Sequence, residues 1–170
     1  MGEFKKASDR YTLLDWVAIA FATVGGAGFF PKMPGTIGSL VGVLVYVLLE
    51  TYGLTRFNLP LLVVLVIIGV WSATRVEALW GQDAQRIVID EVVGQMLTLG
   101  FVYREDKSAV ITGAVLGFVL FRVFDIVKPY PIRRLERLPG GIGVIADDLG
   151  AGMYAFFILF LLEAVSGRFL

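Results

Sequence analysis

The sequence of 170 residues contains no cysteine and no histidine. Without cysteine there is no disulfide, no thiolate nucleophile and no thiolate metal ligand. Without histidine, imidazole bases, phosphohistidine intermediates and the commonest zinc ligand are excluded together. Charge is scarce as well. Asp, Glu, Lys and Arg make up 18% of the residues, where an ordinary soluble domain carries roughly a quarter. Fifteen basic residues balance fifteen acidic ones, so the formal net charge is zero. There is no internal repeat, low-complexity tract or linker. The length suits a single domain over residues 1–170.

What fills the chain instead is apolar. Hydrophobic residues make up 57% of it, with a mean hydropathy of +0.79. The stretch from Phe57 to Thr74 holds 18 uncharged residues, enough for a membrane helix of roughly 18 to 20. Met33 to Thr55 is broken only by Glu50, while Ser108 to Phe121 and Leu149 to Leu162 give 14 uncharged residues each. Val92 to Tyr103 gives 12. Runs that short usually mark buried core helices, yet so many apolar segments leave too little polar surface for a soluble shell. The expected fold is all-α, a small polytopic membrane helical bundle with short and re-entrant or interfacial helices. Its spans are expected at 33–52, 57–75, 92–103, 108–122 and 149–164. The first apolar stretch, "WVAIAFATVGGAGFFP", resembles a signal peptide with "AFA" as its cleavage site. Asp15 and the glycines that follow favour an interfacial or re-entrant helix instead.

With a cytoplasmic amino terminus, these spans put Lys5, Lys6, Arg10, Lys32, Arg75, Arg86, Arg122, Lys128, Arg133, Arg134 and Arg137 inside. Only Arg56, Arg104, Lys107 and Arg168 fall outside, the asymmetry that the positive-inside rule expects. The same topology gathers the polar motifs at one depth. Asp90 and Glu91 in "IVIDEVVGQ" start a span at the cytoplasmic end, and Asp125 in "FRVFDIVKPYP" ends one there. Asp147 and Asp148 in "GVIADDLGAG" start the last span, and "PKMPGTIG" with Lys32 enters the first.

Each motif also has a plain structural explanation. Aspartate caps a helix start, "PGTIG" makes a turn followed by a small-residue face at Gly38 and Gly42, and "RRLER" reads as a solvated or lipid-facing basic stretch. Capping needs only one carboxylate, however, and both "DE" and "DD" supply two. Four or five acids converging beside Lys and Arg suggest a divalent metal bound with a phosphate-bearing substrate.

The segments "GAGFFPKMPGTIGSL", "IVIDEVVGQ", "FRVFDIVKPYPI" and "GGIGVIADDLGAG", in this order and at this spacing, resemble the phosphatidylglycerophosphatase A family. The resemblance covers about Gly25 to Gly152. It implies a magnesium-dependent membrane phosphatase that hydrolyses phosphatidylglycerophosphate to phosphatidylglycerol and inorganic phosphate. Asp90, Glu91, Asp125, Lys128, Asp147 and Asp148 match the family's motifs and form the implied functional set. Pro34, Gly35 and Thr36 match its turn. The expected location is the bacterial inner membrane, with the active site facing the cytoplasm. The expected partners are that membrane and the anionic lipid, with no nucleic acid.

Elimination leads to the same reaction class. Phosphohistidine and cysteine phosphatases are excluded above, no D-x-D occurs, and the D-G-x-x-A-R signature of phosphatidyltransferases is missing. A carboxylate-held Mg²⁺ remains, with Asp90, Asp147 and Asp148 as ligands and Glu91 or Asp125 either supporting those ligands from behind or acting as base. Lys128 is expected to hold phosphate, assisted by Lys32 or Arg122, with Thr36 of the turn nearby. An ion or metal transporter using the same carboxylates is the alternative, but transport favours acids at mid-span with access from both faces. A structural subunit of a lipid-synthesis complex accounts for the hydropathy and not for the carboxylates.

Overall fold

The computed structural model describes residues 11–81, 85–100 and 107–165. Among the described residues there are helices and turns and no strand. The elements are α1 (Leu13–Ala22), α2 (Pro34–Thr51), α3 (Asn58–Trp80), α4 (Ile89–Leu99), α5 (Lys107–Val127), α6 (Ile132–Leu135) and α7 (Gly141–Val165). Four segments are long and apolar enough to cross a membrane: α2, residues 55–80 containing α3, residues 108–127 of α5, and α7. Lys5, Lys6, Arg10, Arg104, Arg168 and residues 101–103 of the expected third span lie outside the described residues.

The core of the bundle is α4. Its eleven residues rise only about 16 Å, roughly half of a bilayer's hydrocarbon thickness. Nearly every one of its side chains is buried, because α2, α3, α5 and α7 all pack on it. The stretch from Val92 is therefore a buried helix and does not cross the membrane by itself. The span expected at 92–103 is thus corrected, since a short apolar helix suffices where protein, and not lipid, surrounds the backbone.

Two close approaches bring the helices together. Gly38 and Gly42 of α2 lie against α4, where an added Cβ would come within 2.8 Å of the Val88 carbonyl oxygen and 2.8 Å of the Gln95 Cβ. The small-residue face seen in the sequence is therefore used within the chain. Gly152 of α7 faces Gly94 of α4 more tightly still, and an added Cβ would stand 2.5 Å from the Gly94 carbonyl oxygen. The outward faces of the long helices carry exposed Leu, Ile, Val and Phe, among them Leu44, Ile67, Val119 and Phe157. That is the surface a lipid environment requires.

Helix ends differ from expectation where a distant residue satisfies them. The last span, expected from Leu149, begins at Gly141. Its first amide donates to Thr74 Oγ1 of α3 at 2.9 Å, so no local cap is needed. Asp147 and Asp148 consequently sit nearly two turns inside α7 and do not cap it. The helix α3 continues past Arg75 because that side chain pairs with Asp15 of α1 at 2.6 Å. Likewise α5 continues past Arg122 because its charge is met inside the bundle. The short α1 starts in a capping box between Thr12 and Asp15. It buries Ala18, Ile19 and Ala22, packs against α3, and leaves Leu13, Trp16 and Phe21 exposed. The hydrogen bond from the Thr12 hydroxyl, then its amide and Arg75, hold the Asp15 carboxyl below its usual range against the opposing effect of burial.

The Gly94–Gly152 contact is testable by substitution. Gly152→Ala puts a methyl group into a backbone oxygen, an overpacking that typically costs about 1–3 kcal/mol. The expected fall in Tm is roughly 2–12 °C, followed by tryptophan fluorescence in detergent. Met153→Ala, at the neighbouring exposed position, should shift Tm by far less. Equal shifts for the two variants would remove the argument for a tight crossing.

Candidate active site

The starts of α2, α4 and α7 and the ends of α3 and α5 meet at one end of the bundle, around a cavity of about 830 Å³. Asp90, Glu91, Asp125, Asp147 and Asp148 all line it, as do Arg122 and Lys128. The two expected residues that do not are Lys32, which is exposed, and Thr36. The Thr36 Oγ1 is buried without a hydrogen-bond partner among the described residues.

Two cations hold this acidic cluster. Arg122 Nη1 bonds Glu91 Oε2 and lies 3.0 Å from Asp125 Oδ2, one turn along its own helix. Ser39 of α2 donates to the same Glu91 oxygen at 2.9 Å. Lys128 Nζ lies 2.6 Å from Asp147 Oδ2 and 3.2 Å from Glu136 Oε1. The Lys128 backbone adopts φ 44°, a left-handed conformation that costs a non-glycine residue of order 1–3 kcal/mol. That turn ends α5 and brings the ammonium back over the cavity. Burial alone would lower the Lys128 pKa, but the hydrogen bond and charge of Asp147, with Glu136 adding, raise it beyond the usual lysine range. Lys128 therefore stays protonated throughout the neutral range.

Asp90 and Asp148 differ from the other acids. Neither has a cation within ion-pair distance among the described residues. Asp90 Oδ1 accepts the adjacent Glu91 amide at 3.0 Å. Asp148 is 4% exposed, and its Oδ2 is buried with no hydrogen-bond partner among the described residues. A buried oxygen without a partner costs free energy unless a donor or a cation reaches it. Among the described residues, no three acidic side chains form a preassembled metal cage. Mg²⁺ rarely uses one: it keeps several waters and takes one or two carboxylates together with substrate phosphate oxygens. The hard oxygen donors of Asp90 and Asp148 fit that pattern.

The cavity also recruits residues that no motif pointed to. Glu77 comes from the last turn of α3, and Glu136 and Arg137 from the segment after α6. Glu136 lies in "RRLER", whose basic character hides one acid that pairs with Lys128 eight residues earlier. No local spacing encodes that contact. The described cations cluster at this end too: Lys32, Arg75, Arg86, Arg133, Arg134 and Arg137 all belong to segments here, while Arg56 and Lys107 belong to the far end.

Comparison with known proteins gives a consistent family. The family model described as "Phosphatidylglycerophosphatase A" matches residues 20–163. A Bacteroides thetaiotaomicron protein named "Putative phosphatidylinositol-3-phosphatase" is 36% identical over 89% of this chain and 97% of its own length. Proteins named "Phosphatidylglycerophosphatase A" from Haemophilus influenzae and Escherichia coli are each 33% identical over 81% of this chain, covering 83% and 78% of their own lengths. No solved structure matches the chain.

A double-mutant cycle tests whether Arg122 is the counter-charge of the cluster. Arg122→Met leaves Glu91 and Asp125 uncompensated, at an expected cost of about 3–5 kcal/mol. In a Glu91→Gln/Asp125→Asn background the same change should cost far less, read as Tm in detergent. The same loss in both backgrounds would show that Arg122 acts by packing alone.

Proposed function

The chain belongs to the phosphatidylglycerophosphatase A family and is a phosphatase, and from that premise we propose that it hydrolyses phosphatidylglycerophosphate to phosphatidylglycerol and inorganic phosphate. The observation that carries the reading is the meeting of five carboxylates, Arg122 and Lys128 around one cavity at one end of a membrane bundle. A transporter would need such acids at mid-span, open to both faces.

The cavity is assigned as the seat of the terminal phosphate. Asp90, Asp147 and Asp148 are the residues we assign to Mg²⁺, which when bound supplies charge neutralisation of the phosphoryl oxygens. Lys128 is a compact protonated charge suited to binding a phosphate oxygen. Arg122 holds Glu91 and Asp125 in place beside it. In the reaction the bond between phosphorus and the terminal glycerol oxygen breaks, water supplies the new P–O bond, and the released glycerol oxygen takes up a proton. Glu91 and Asp125 are the carboxylates assigned to accept and return that proton. The bias of cations toward this end supports a cytoplasmic active site in a bacterial inner membrane.

The relative from Bacteroides favours a second lipid, phosphatidylinositol 3-phosphate. Both lipids present a phosphomonoester beyond a phosphodiester, so the discrimination is between a glycerol and an inositol ring. Purified protein offered each lipid separately decides between them. The expected result is phosphate released faster from phosphatidylglycerophosphate, and the reverse order would replace that substrate with the inositol lipid.

Metal removal and substitution probe the roles. Chelation to negligible metal content should abolish turnover and Mg²⁺ should restore it, whereas full activity without metal would refute the assignment. Asp148→Asn keeps the shape and one carbonyl oxygen while removing the charge. It should lower kcat by about 100-fold or more with little change in Tm. Wild-type turnover in that variant at low and high Mg²⁺ would take Asp148 out of the site. Sidedness has its own test, because the chain has no native cysteine. An impermeant thiol reagent applied to intact spheroplasts should label Arg56→Cys and spare Lys32→Cys, and the opposite pattern would invert the topology.

A further inference from the structure

A second cavity, of about 480 Å³, adjoins the first and is lined by Lys128, Tyr130, Arg133, Arg134 and Arg137. Lys128 and Arg137 line both cavities, so the two are contiguous. Their charges are opposite in sign. The first is crowded with acids, whereas no acidic residue lines the second. Among the described residues, Arg133, Arg134 and Arg137 have no carboxylate within ion-pair distance, unlike Arg75, Arg122 and Lys128. Arg134 is oriented: its guanidinium lies 4.8 Å from the Tyr130 ring centroid, and its Nη1 donates to the Tyr130 hydroxyl at 3.2 Å. Tyr154 of α7 buttresses that turn by donating to the Tyr130 carbonyl at 3.1 Å. The cleft lies where the chain leaves α5 and before it enters α7, with exposed Val127 and Tyr130 at its edge. An apolar residue beside an aromatic one marks the level of lipid headgroups.

We propose that this basic cleft holds the phosphodiester of the substrate's headgroup, while the terminal phosphomonoester enters the neighbouring carboxylate cavity. The proposal rests on the lipid-phosphatase reading above and adds a subsite to it. Charge segregation carries it. A singly charged diester is repelled by the acids of the first cavity and suits guanidinium groups, which bind phosphate oxygens bidentately. The shared Lys128 and Arg137 stand where the bridge between the two phosphates has to pass. Arg133 and Arg134 then determine specificity by favouring lipids that carry a diester behind the monoester.

Arg133→Gln/Arg134→Gln tests this in the purified full-length protein, with an unchanged Tm as the folding check. Short-chain phosphatidylglycerol, which has the diester and no monoester, is titrated calorimetrically. The variant is expected to bind it at least about 10-fold more weakly than wild type. In parallel, kcat/KM is measured for phosphatidylglycerophosphate and for phosphatidic acid, which has a monoester and no diester. The variant should lose at least about 10-fold more on the first lipid than on the second, mainly through KM. Equal losses on both, reproduced in wild type by added salt, would mean that the arginines only attract anionic surfaces, and would overturn the subsite. So would undiminished binding of phosphatidylglycerol by the variant, or no binding by wild type. If wild type releases no phosphate from phosphatidylglycerophosphate, the substrate reading fails, and the titration alone decides the cleft.

Discussion

A cluster of carboxylates at the end of an apolar bundle can exist only if each charge is answered. Here Arg122 answers Glu91 and Asp125, and Lys128 answers Asp147 and Glu136. Both cations come from a few residues at the end of α5, so one helix terminus supplies the compensation for acids on α4, α5 and α7. Breaking one such pair leaves a buried charge uncompensated, a loss larger than any single apolar contact in the bundle provides. The end of α5 is therefore the fixed point about which the other helices are arranged. Asp90 and Asp148 are the acids left over: among the described residues neither has a cation within ion-pair distance, and on the proposed reading it is there that a cation from outside is held.

The second constraint is distance. Acids on different helices converge only if the backbones come close, and α4 achieves this with glycine at its seams. Gly94 against Gly152 sets the crossing of α4 and α7, and so the approach of Asp90 and Glu91 to Asp147 and Asp148. Gly38 and Gly42 set the seam with α2, where Ser39 reaches Glu91. Lipid gives no hydrophobic drive for one helix to join another, so close packing and interhelical hydrogen bonds must supply the association. The same small residues that hold the bundle together thus build the site. This is why α4 need not span the membrane: its task is to present one charged turn from within a protein shell.

Much of this was legible in the sequence because it is written in local pattern. Hydropathy marks the long helices, and "DE", "FD" and "DD" mark the acids that meet at the cavity. What stayed hidden depends on contacts across the chain. The start of α7 eight residues ahead of Leu149 follows from Thr74 of α3 capping it, and only the fold reveals that partner. The continuation of α3 and α5 past Arg75 and Arg122 depends on Asp15 and Glu91 lying opposite. Hydropathy counts a charge as the end of a span, whereas a paired charge costs the helix little. Glu77 and Glu136 carry no spacing signal, and proximity to "PGT" in sequence does not by itself bring Lys32 into the cavity lining, where its neighbours Met33 and Pro34 stand.

The one-ended site also suits a reaction whose two products part company. On the proposed reading, phosphatidylglycerol keeps its acyl chains and remains in the bilayer, while inorganic phosphate is soluble. A cavity at mid-span would release phosphate into a low-dielectric interior, where an isolated anion is prohibitively costly. At the ends of α3 and α5 the cavity wall is polar, with Glu77 and Glu136 among its lining, so a soluble anion need not enter the apolar interior. The arginines beside Tyr130 lie on the other flank, where no acid opposes them. Acids and cations thus occupy adjoining walls, and on the proposed reading the cations retain the lipid headgroup. On that reading, a phosphatase at a membrane surface can discharge its soluble product from one wall while the other keeps its hold on the lipid.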